Sequence, residues 1–366
     1  MNLGVFISAR EPNDGGGYTL TKDLFDRLIK NKNKKNFFFI LRGNKNKYFQ
    51  NEIKKKKLKY VIINDNKLII FVNCIFFILF NNLLFNNKKI NFFVKKNSIK
   101  CIVFLSSENF YPLKIPYIST VWDIQHKTNP HFKETGSILV NLYRSIVINI
   151  FLKNSSRIIS GTKLGIKEIK KYYHIKNYKF YKLSHPTPSI FLNTYKIRNQ
   201  TRIFKNKNFF IYPSNFWEHK NHLFLIKTIK EINKNLKIKK NLLLVGSVKD
   251  RKYYNKIKIY IKNSNLSKNV KILNFISIKK LIFLYDRMDA LVYPSTSGPE
   301  NLPPLEAFAR GKNAIVANYP GAKEQLKSYA NYFNLNNNNN LKVLLLSYRK
   351  KNKNNLIKFA KSKSTK

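Results

Sequence analysis

The sequence is poor in cysteine and in acid, and each shortage excludes something. Its 366 residues hold two cysteines, Cys74 and Cys101, both inside apolar stretches. Two isolated thiols make neither a disulfide framework nor a zinc spacing, and a reducing, cytoplasmic compartment is the expectation. Asp and Glu together number 18, and they never form the Asp-x-Asp pair that would hold a divalent ion. The first nine residues have no basic leader and too short an apolar run for a signal peptide, and Glu11 and Asp14 follow at once.

What is present is basic and globular. Lys and Arg number 70, giving a formal net charge of +52. Such a charge ordinarily points to nucleic acid or to an anionic membrane. Its makeup weakens that reading: 59 Lys and 11 Arg stand beside 50 Asn, a composition typical of coding bias toward A and T. Phosphate-gripping surfaces lean more on Arg, whose planar fork suits the anion. No zinc pattern or RNA-recognition signature accompanies the charge, so nucleic acid is not the expected partner. With 43% hydrophobic and 14% aromatic residues the chain is too apolar to be disordered, and its length suggests two domains.

Apolar runs alternate with helical spacings along the chain. Residues 3–7 predict a buried strand, Gly15-Gly16-Gly17 a loop, and residues 18–29 a helix through Leu20, Leu24, Phe25 and Leu28. Further strands are predicted at 37–41, 61–63, 101–105, 117–121 and 157–160, and helices at 138–152 and 163–173. A polar shift at 184–201, with Pro186 and Pro188, marks a linker. The alternation then restarts, with strands at 209–212, 242–245, 270–273, 290–293 and 314–316. Helices at 222–232, 253–261, 278–285 and 305–309 separate or follow them. The expected class is α/β: a first domain over 1–190, a linker at 191–205, a second domain over 206–340 and a C-terminal helix or tail over 341–366. Both domains should be doubly wound and Rossmann-like, with ligands outside the carboxyl ends of the strands and the site in a cleft between them. Five consecutive Asn at 336–340 predict a loop. The apolar stretch 68–85, interrupted by Asn73, Asn81 and Asn82, is open to three roles: a core helix, a membrane-surface contact or a span.

Two stretches carry chemistry. In residues 293–317 a strand ends at Pro294-Ser295, a loop shaped by Gly298 and Pro299 follows, and a helix should begin near Pro303-Pro304 with Glu306 in its first turn. Proline suits that position, free amides there attract phosphate, and a carboxylate accepts hydrogen bonds from a ribose diol. Glu306 could equally be an acid that complements the helix dipole. The second stretch runs Tyr212-Pro213-Ser214-Asn215-Phe216-Trp217-Glu218-His219-Lys220-Asn221-His222. It joins the first strand and first helix of the second half, where Lys220 would neutralise a diphosphate. His219 and His222 have helical spacing but no third metal ligand nearby, so no metal is expected.

These two stretches resemble the nucleotide-sugar site of retaining glycosyltransferases of the GT-B fold, family 4 or group 1, in a subgroup with Gly-Pro-x-Asn-x-Pro-Pro-Leu-Glu-Ala. The resemblance implies that Lys220 contacts the donor diphosphate, that Glu306 contacts the ribose, and that Asn301, Leu302 and Pro303 form the turn near sugar and phosphates. Two positions depart from the pattern: Gly298 replaces the first glutamate of the Glu-x7-Glu motif, and Asn215 replaces an arginine. Glu300 is the candidate to stand in for the missing carboxylate. In the first half, Gly15, Gly16 and Gly17 resemble the loop near the acceptor and donor phosphates. The segment 121–126 resembles one that usually reads His-Asp, with Trp122 in the His place, Asp123 retained and His126 one turn on. Asp123 and His126 are expected to line the cleft, His126 being open to a plain core role. Thr162 and Lys163 match a structural element.

The family resemblance implies transfer of a sugar from a nucleotide donor to a glycan or lipid-linked hydroxyl, with retention and without a metal or other cofactor. Surface polysaccharide biosynthesis at the cytoplasmic face of a membrane is the implied setting. The run Lys54-Lys55-Lys56-Lys57 beside the apolar stretch fits peripheral contact with an anionic membrane. The alternatives are a basic nucleic-acid-binding protein and a GT-B protein that binds nucleotide without turnover, which the missing glutamate and arginine keep open.

Overall fold

The computed structural model describes residues 1–43, 47–64, 66–80, 87–106, 113–193 and 208–364. It divides into two compact units, Met1–Leu183 and Ser184–Lys366. The boundary therefore falls before the expected 190, and residues 184–193 go with the second unit. Most of the expected linker, 194–205, lies outside the described residues.

The first unit carries strands β1 (Asn2–Ile7), β2 (Phe37–Arg42), β3 (Tyr60–Ile63), β4 (Ile99–Phe104), β5 (Tyr117–Val121), β6 (Arg157–Ser160) and β7 (Phe180–Lys182). Its helices are α1 (Gly16–Lys30), α2 (Lys47–Lys55), α3 (Lys67–Phe80), α4 (Lys88–Lys96), α5 (Gln125–Thr128), α6 (Ile138–Asn154) and α7 (Lys163–Tyr173). The strands form one parallel sheet in the order β3-β2-β1-β4-β5-β6-β7. Central β1 is in register with both neighbours, Val5 facing Phe39 and Val103. The glycines are not all loop: α1 begins at Gly16, so Gly16 and Gly17 form its first turn and only Gly15, at φ +76°, makes the bend. Thr162 caps α7, its Oγ1 accepting from the Gly165 amide at 3.0 Å.

The second unit repeats the plan with α8 (Ser189–Leu192), β8 (Phe210–Pro213), α9 (His222–Lys234), β9 (Leu242–Val245), α10 (Arg251–Asn263), β10 (Val270–Leu273) and α11 (Ile278–Tyr285). It continues with β11 (Ala290–Tyr293), α12 (Leu302–Ala309), β12 (Asn313–Ala317), α13 (Ala322–Leu326), β13 (Asn331–Phe333), α14 (Asn338–Ser347) and α15 (Lys353–Ser364). The parallel order is β10-β9-β8-β11-β12-β13. Strands β8, β9, β11 and β12 are buried along their whole length. That is why they read as unbroken apolar runs: helices cover both faces of the sheet.

One expectation fails toward the C-terminus. Asn338 to Asn340 open α14 instead of staying in a loop, because the Asn337 side chain caps the helix on the Asn339 and Asn340 amides. Beyond it, in the expected helix or tail, the chain is helical in α14 and α15, and α15 packs on α12, with Phe359 against Phe308 at 6.0 Å between ring centroids. The stretch expected to be apolar over 68–85 is helical to Phe80, and residues 81–85 lie outside the described residues.

Candidate functional site

In both sheets the strand order reverses about the first strand of the unit, and in such folds ligands settle beyond the strand ends at that point. In the second unit the reversal lies between β8 and β11. The loops that leave these strands are 214–221 and 294–301, the two stretches singled out above. They are tied together: the Thr296 amide and hydroxyl both donate to the His219 carbonyl, at 3.0 and 3.1 Å. Lys220 closes the junction. Its ammonium donates to Ser295 Oγ at 3.3 Å and Tyr293 Oη at 3.5 Å, while Tyr212 Oη donates to its carbonyl at 2.7 Å. The ammonium is thus held at the carboxyl edge of the sheet by two side chains, and a third fixes the backbone that carries it.

Asn301 precedes α12 and is clamped from several sides. Its amide donates to Gln325 Oε1 at 3.0 Å, its carbonyl accepts from Gln325 Nε2 at 2.9 Å, and its Oδ1 accepts from Tyr293 Oη at 2.8 Å. Helix α12 starts at Leu302, one residue before the expected prolines. Pro303 and Pro304 have no N–H, so Leu302 is the only residue of the first three able to offer an amide to an anion. The expected row of free amides is therefore reduced to one.

Glu306 is not in the first turn. It is the fifth residue of α12, 6% exposed, and its Oε2 accepts from Tyr285 Oη at 2.8 Å. Burial pushes its pKa up to about 7, the Tyr285 bond pulling the other way. A group that titrates near neutrality at a binding edge answers strongly to a hydrogen-bonding ligand.

Glu300 and Asn215 are engaged elsewhere in the unit. Both carboxylate oxygens of buried Glu300 accept from the His185 amide, at 3.0 and 3.2 Å. Asn215 Oδ1 accepts from the Ser247 amide at 3.1 Å and so joins the loop after β8 to that after β9. These loops pass so closely that a Cβ on Gly246 would lie 2.0 Å from the Ser214 carbonyl oxygen. Gly298 has φ +99°, a conformation that a side chain at this position would strain. The absent glutamate is thus replaced by a turn, not by another acid at the same place. His222 is a core residue, fully buried, stacked on Phe216 at 4.7 Å, with its pKa lowered by burial to about 3.

In the first unit the glycines follow β1, and the reversal lies between β1 and β4. Ser106 Oγ donates to Ser8 Oγ at 2.9 Å across that gap. Gly17 makes room for a residue of the chain itself: a Cβ there would lie 2.1 Å from Arg10 Nη1. The Arg10 guanidinium also lies over the Trp122 ring, 4.9 Å from its centroid. Asp123 is exposed and accepts from the Gln125 amide at 3.2 Å. His126 is buried instead of surface-facing, with Nε2 2.7 Å from Tyr173 Oη and its pKa lowered by burial to about 4. It is a neutral core histidine, the plainer of its two expected roles. The structure keeps Asp123 and His126 one short turn apart but brings no hydrogen bond between them.

Sequence reasoning missed Arg10, His185, Tyr285 and Gln325. Each acts through a partner far along the chain, and none stands in a motif. Gln325 alone left a trace, as a polar residue on the face that α13 buries.

Residues 193–362 match the family model described as "Glycosyl transferases group 1". The chain is 25% identical over 220 residues to the O-antigen chain mannosyltransferase RfbU of Salmonella typhimurium, an overlap of 60% of this chain that spans 58% of the relative's length. HepE of Anabaena, solved with UDP-glucose, superposes with a TM-score of 0.69 at 15% identity, covering 100% of this chain and 94% of that one. A glycosyltransferase of Rickettsia africae gives 0.68 at 16% identity, covering 99% and 93%. The chain has the GT-B fold, two Rossmann-like domains, and the residues that match the group 1 model lie within its second unit.

Proposed function

From a GT-B chain with a group 1 glycosyltransferase domain, we propose an enzyme that moves a sugar from a nucleotide donor to a hydroxyl of a glycan or lipid-linked acceptor. Retention at the anomeric carbon, a role in surface polysaccharide assembly and independence from metal are parts of the same reading. The observation that carries it is the junction of Lys220 with Ser295 and Tyr293 at the reversal point of the second sheet. An ammonium fixed there stabilises negative charge as it builds on a departing diphosphate, without reorganisation at the moment of reaction. Leu302 adds one amide. Glu306 Oε1 takes the ribose hydroxyls while Tyr285 occupies Oε2. The O-antigen chain mannosyltransferase among its relatives and the structural neighbour solved with UDP-glucose support the substrate classes.

Gly298 and Asn215, where the resembling family has glutamate and arginine, favour a second reading, in which donor binds but is not turned over. Thermal stabilisation by nucleotides and nucleotide sugars tests the first step, at about 0.3 M salt to suppress nonspecific anion binding. A ligand at a hundred times its dissociation constant adds about 2.7 kcal/mol. Stabilisation by one base, lost in Glu306→Ala, supports the site. Equal stabilisation by every polyanion, pyrophosphate included, in both proteins would sink it. Transfer of labelled sugar to extracted lipid-linked acceptor then separates enzyme from binder.

A further inference from the structure

Helix α3 is apolar on every side, yet only one side of it is covered. Ile70, Asn73 and Cys74 are buried, and Phe77 lines an apolar pocket with Cys74, Val147 and Ile150. Leu68, Val72, Ile75 and Leu79 recur at helical spacing on the outer stripe, with Leu68 66% and Leu79 67% exposed. A helix apolar all round belongs in a protein core or in lipid. Helix α6 runs beside it in the same direction: Phe71 meets Tyr143 at 5.3 Å, and one turn on Cys74 meets Val147. The first turns of both helices therefore share one end. There α6 adds Ile138 at 87% exposure, Leu139 at 77% and Leu142. Folded monomers rarely leave so continuous an apolar face to water.

Charge decides what covers it. Among the residues of the two helices whose side chains are described, the only charged ones are Arg144 and Lys153, both cationic. Exposed Lys114 follows Leu113, which lines the pocket beneath, and Arg42 lies close enough to influence Tyr143. A second copy of a chain with net charge +52 would bring like charge to the contact. Anionic lipid offers hydrocarbon to the stripe and opposite charge to its flanks. The described part of α3, 14 residues, reaches about 21 Å against roughly 30 Å of hydrocarbon. Among the described residues no helix is long and apolar enough to cross a membrane.

We propose that the joint α3 and α6 face of the first unit docks in the plane of an anionic lipid surface. This stands apart from the transferase reading, since docking is measured without donor or turnover. The test is flotation of the full chain with vesicles of two parts phosphatidylcholine to one part phosphatidylglycerol, and with phosphatidylcholine alone, at about 0.15 M salt. The expected result is strong binding to the mixed vesicles and weak binding to the neutral ones. The pairs Leu68→Asn with Leu79→Asn, and Ile138→Asn with Leu139→Asn, should each lower partitioning at least tenfold. Ile238→Asn with Ile259→Asn, exposed in the second unit, should leave it unchanged. A polarity-sensitive dye on Leu142→Cys should shift to the blue on mixed vesicles, a readout that removes little of the face. No flotation, or flotation equal in the face variants, would overturn the proposal. So would a dimer in sedimentation that the face variants dissociate, because the occupant would then be a second copy.

Discussion

Tyr285 donates its phenolic hydrogen to Glu306 Oε2 at 2.8 Å, and this bond holds the site's carboxyl below the pKa that burial alone would set. The pair joins the end of α11 to the middle of α12, so the helix that carries the site is tied through its acid to its neighbour.

With Glu306 as the proposed ribose contact, its burial should make donor binding depend on pH. A ribose diol donates to the ionised carboxylate, so affinity for the nucleotide should rise as pH passes from 6 to 8. Tyr285→Phe removes a bond that lowers the pKa, and the midpoint should move upward. Glu306→Gln should bind weakly with no midpoint. Calorimetric titrations across this range check it, and an unmoved midpoint in Tyr285→Phe would refute the coupling.

Stability without ligand should follow the opposite slope. The folded pKa of Glu306 is raised from 4.5 to about 7, so the acid form is favoured by the fold. Its contribution is fully present below about pH 4.5 and is lost as pH rises through about 7. The difference is on the order of 3 kcal/mol. Urea unfolding of wild type and Glu306→Gln at pH 6 and 8 isolates this group, and the variant should gain relative to wild type at the higher pH.

Lys220→Ala should lower kcat/KM by roughly a hundredfold to a thousandfold, the usual cost of removing one preorganised charge-stabilising donor. Lys220→Arg should recover part of it. Ser295→Ala, which leaves the ammonium but removes one of its anchors, should cost less, about tenfold. Equal activity in Lys220→Ala and wild type would remove the lysine from the chemistry.

Gln325→Leu should be among the more damaging single changes away from the sheet. The amide and carbonyl of Asn301 both lose their partner while buried, at about 1–3 kcal/mol for each group. A fall in unfolding free energy with a raised donor KM is the expected pair of results. A stability change without a KM change would make the clamp purely architectural.

Chelation should leave transfer intact. On the proposed reading Lys220 supplies the positive charge, and the sequence has no Asp-x-Asp pair to hold an ion. Loss of transfer in EDTA, restored by a divalent ion, would contradict the metal-independent reading.

Much of the fold was legible because parallel strands buried on both faces must read as apolar runs. Leu242 to Val245 and Ala290 to Tyr293 show this directly. Shorter elements escaped for lack of length: β7 and β13 have three residues each, too few for a period to show. Residues 338–340 escaped because a side-chain cap, not composition, turned asparagines into a helix start.

By itself the sequence determined the α/β alternation, the loop that bears Lys220 and the loop that leads into the helix of Glu306, since strand burial and loop position are local consequences of residue order. Tertiary structure alone decided what those residues touch. Lys220 meets Ser295, Glu300 meets the His185 amide and Glu306 meets Tyr285 only after the chain has folded. It also decided that His126 is a neutral core residue and that Glu306 titrates near neutrality. The physical reason is that ionisation depends on how much water the surrounding fold removes and on which donors it brings close, and neither is a property of neighbours in sequence.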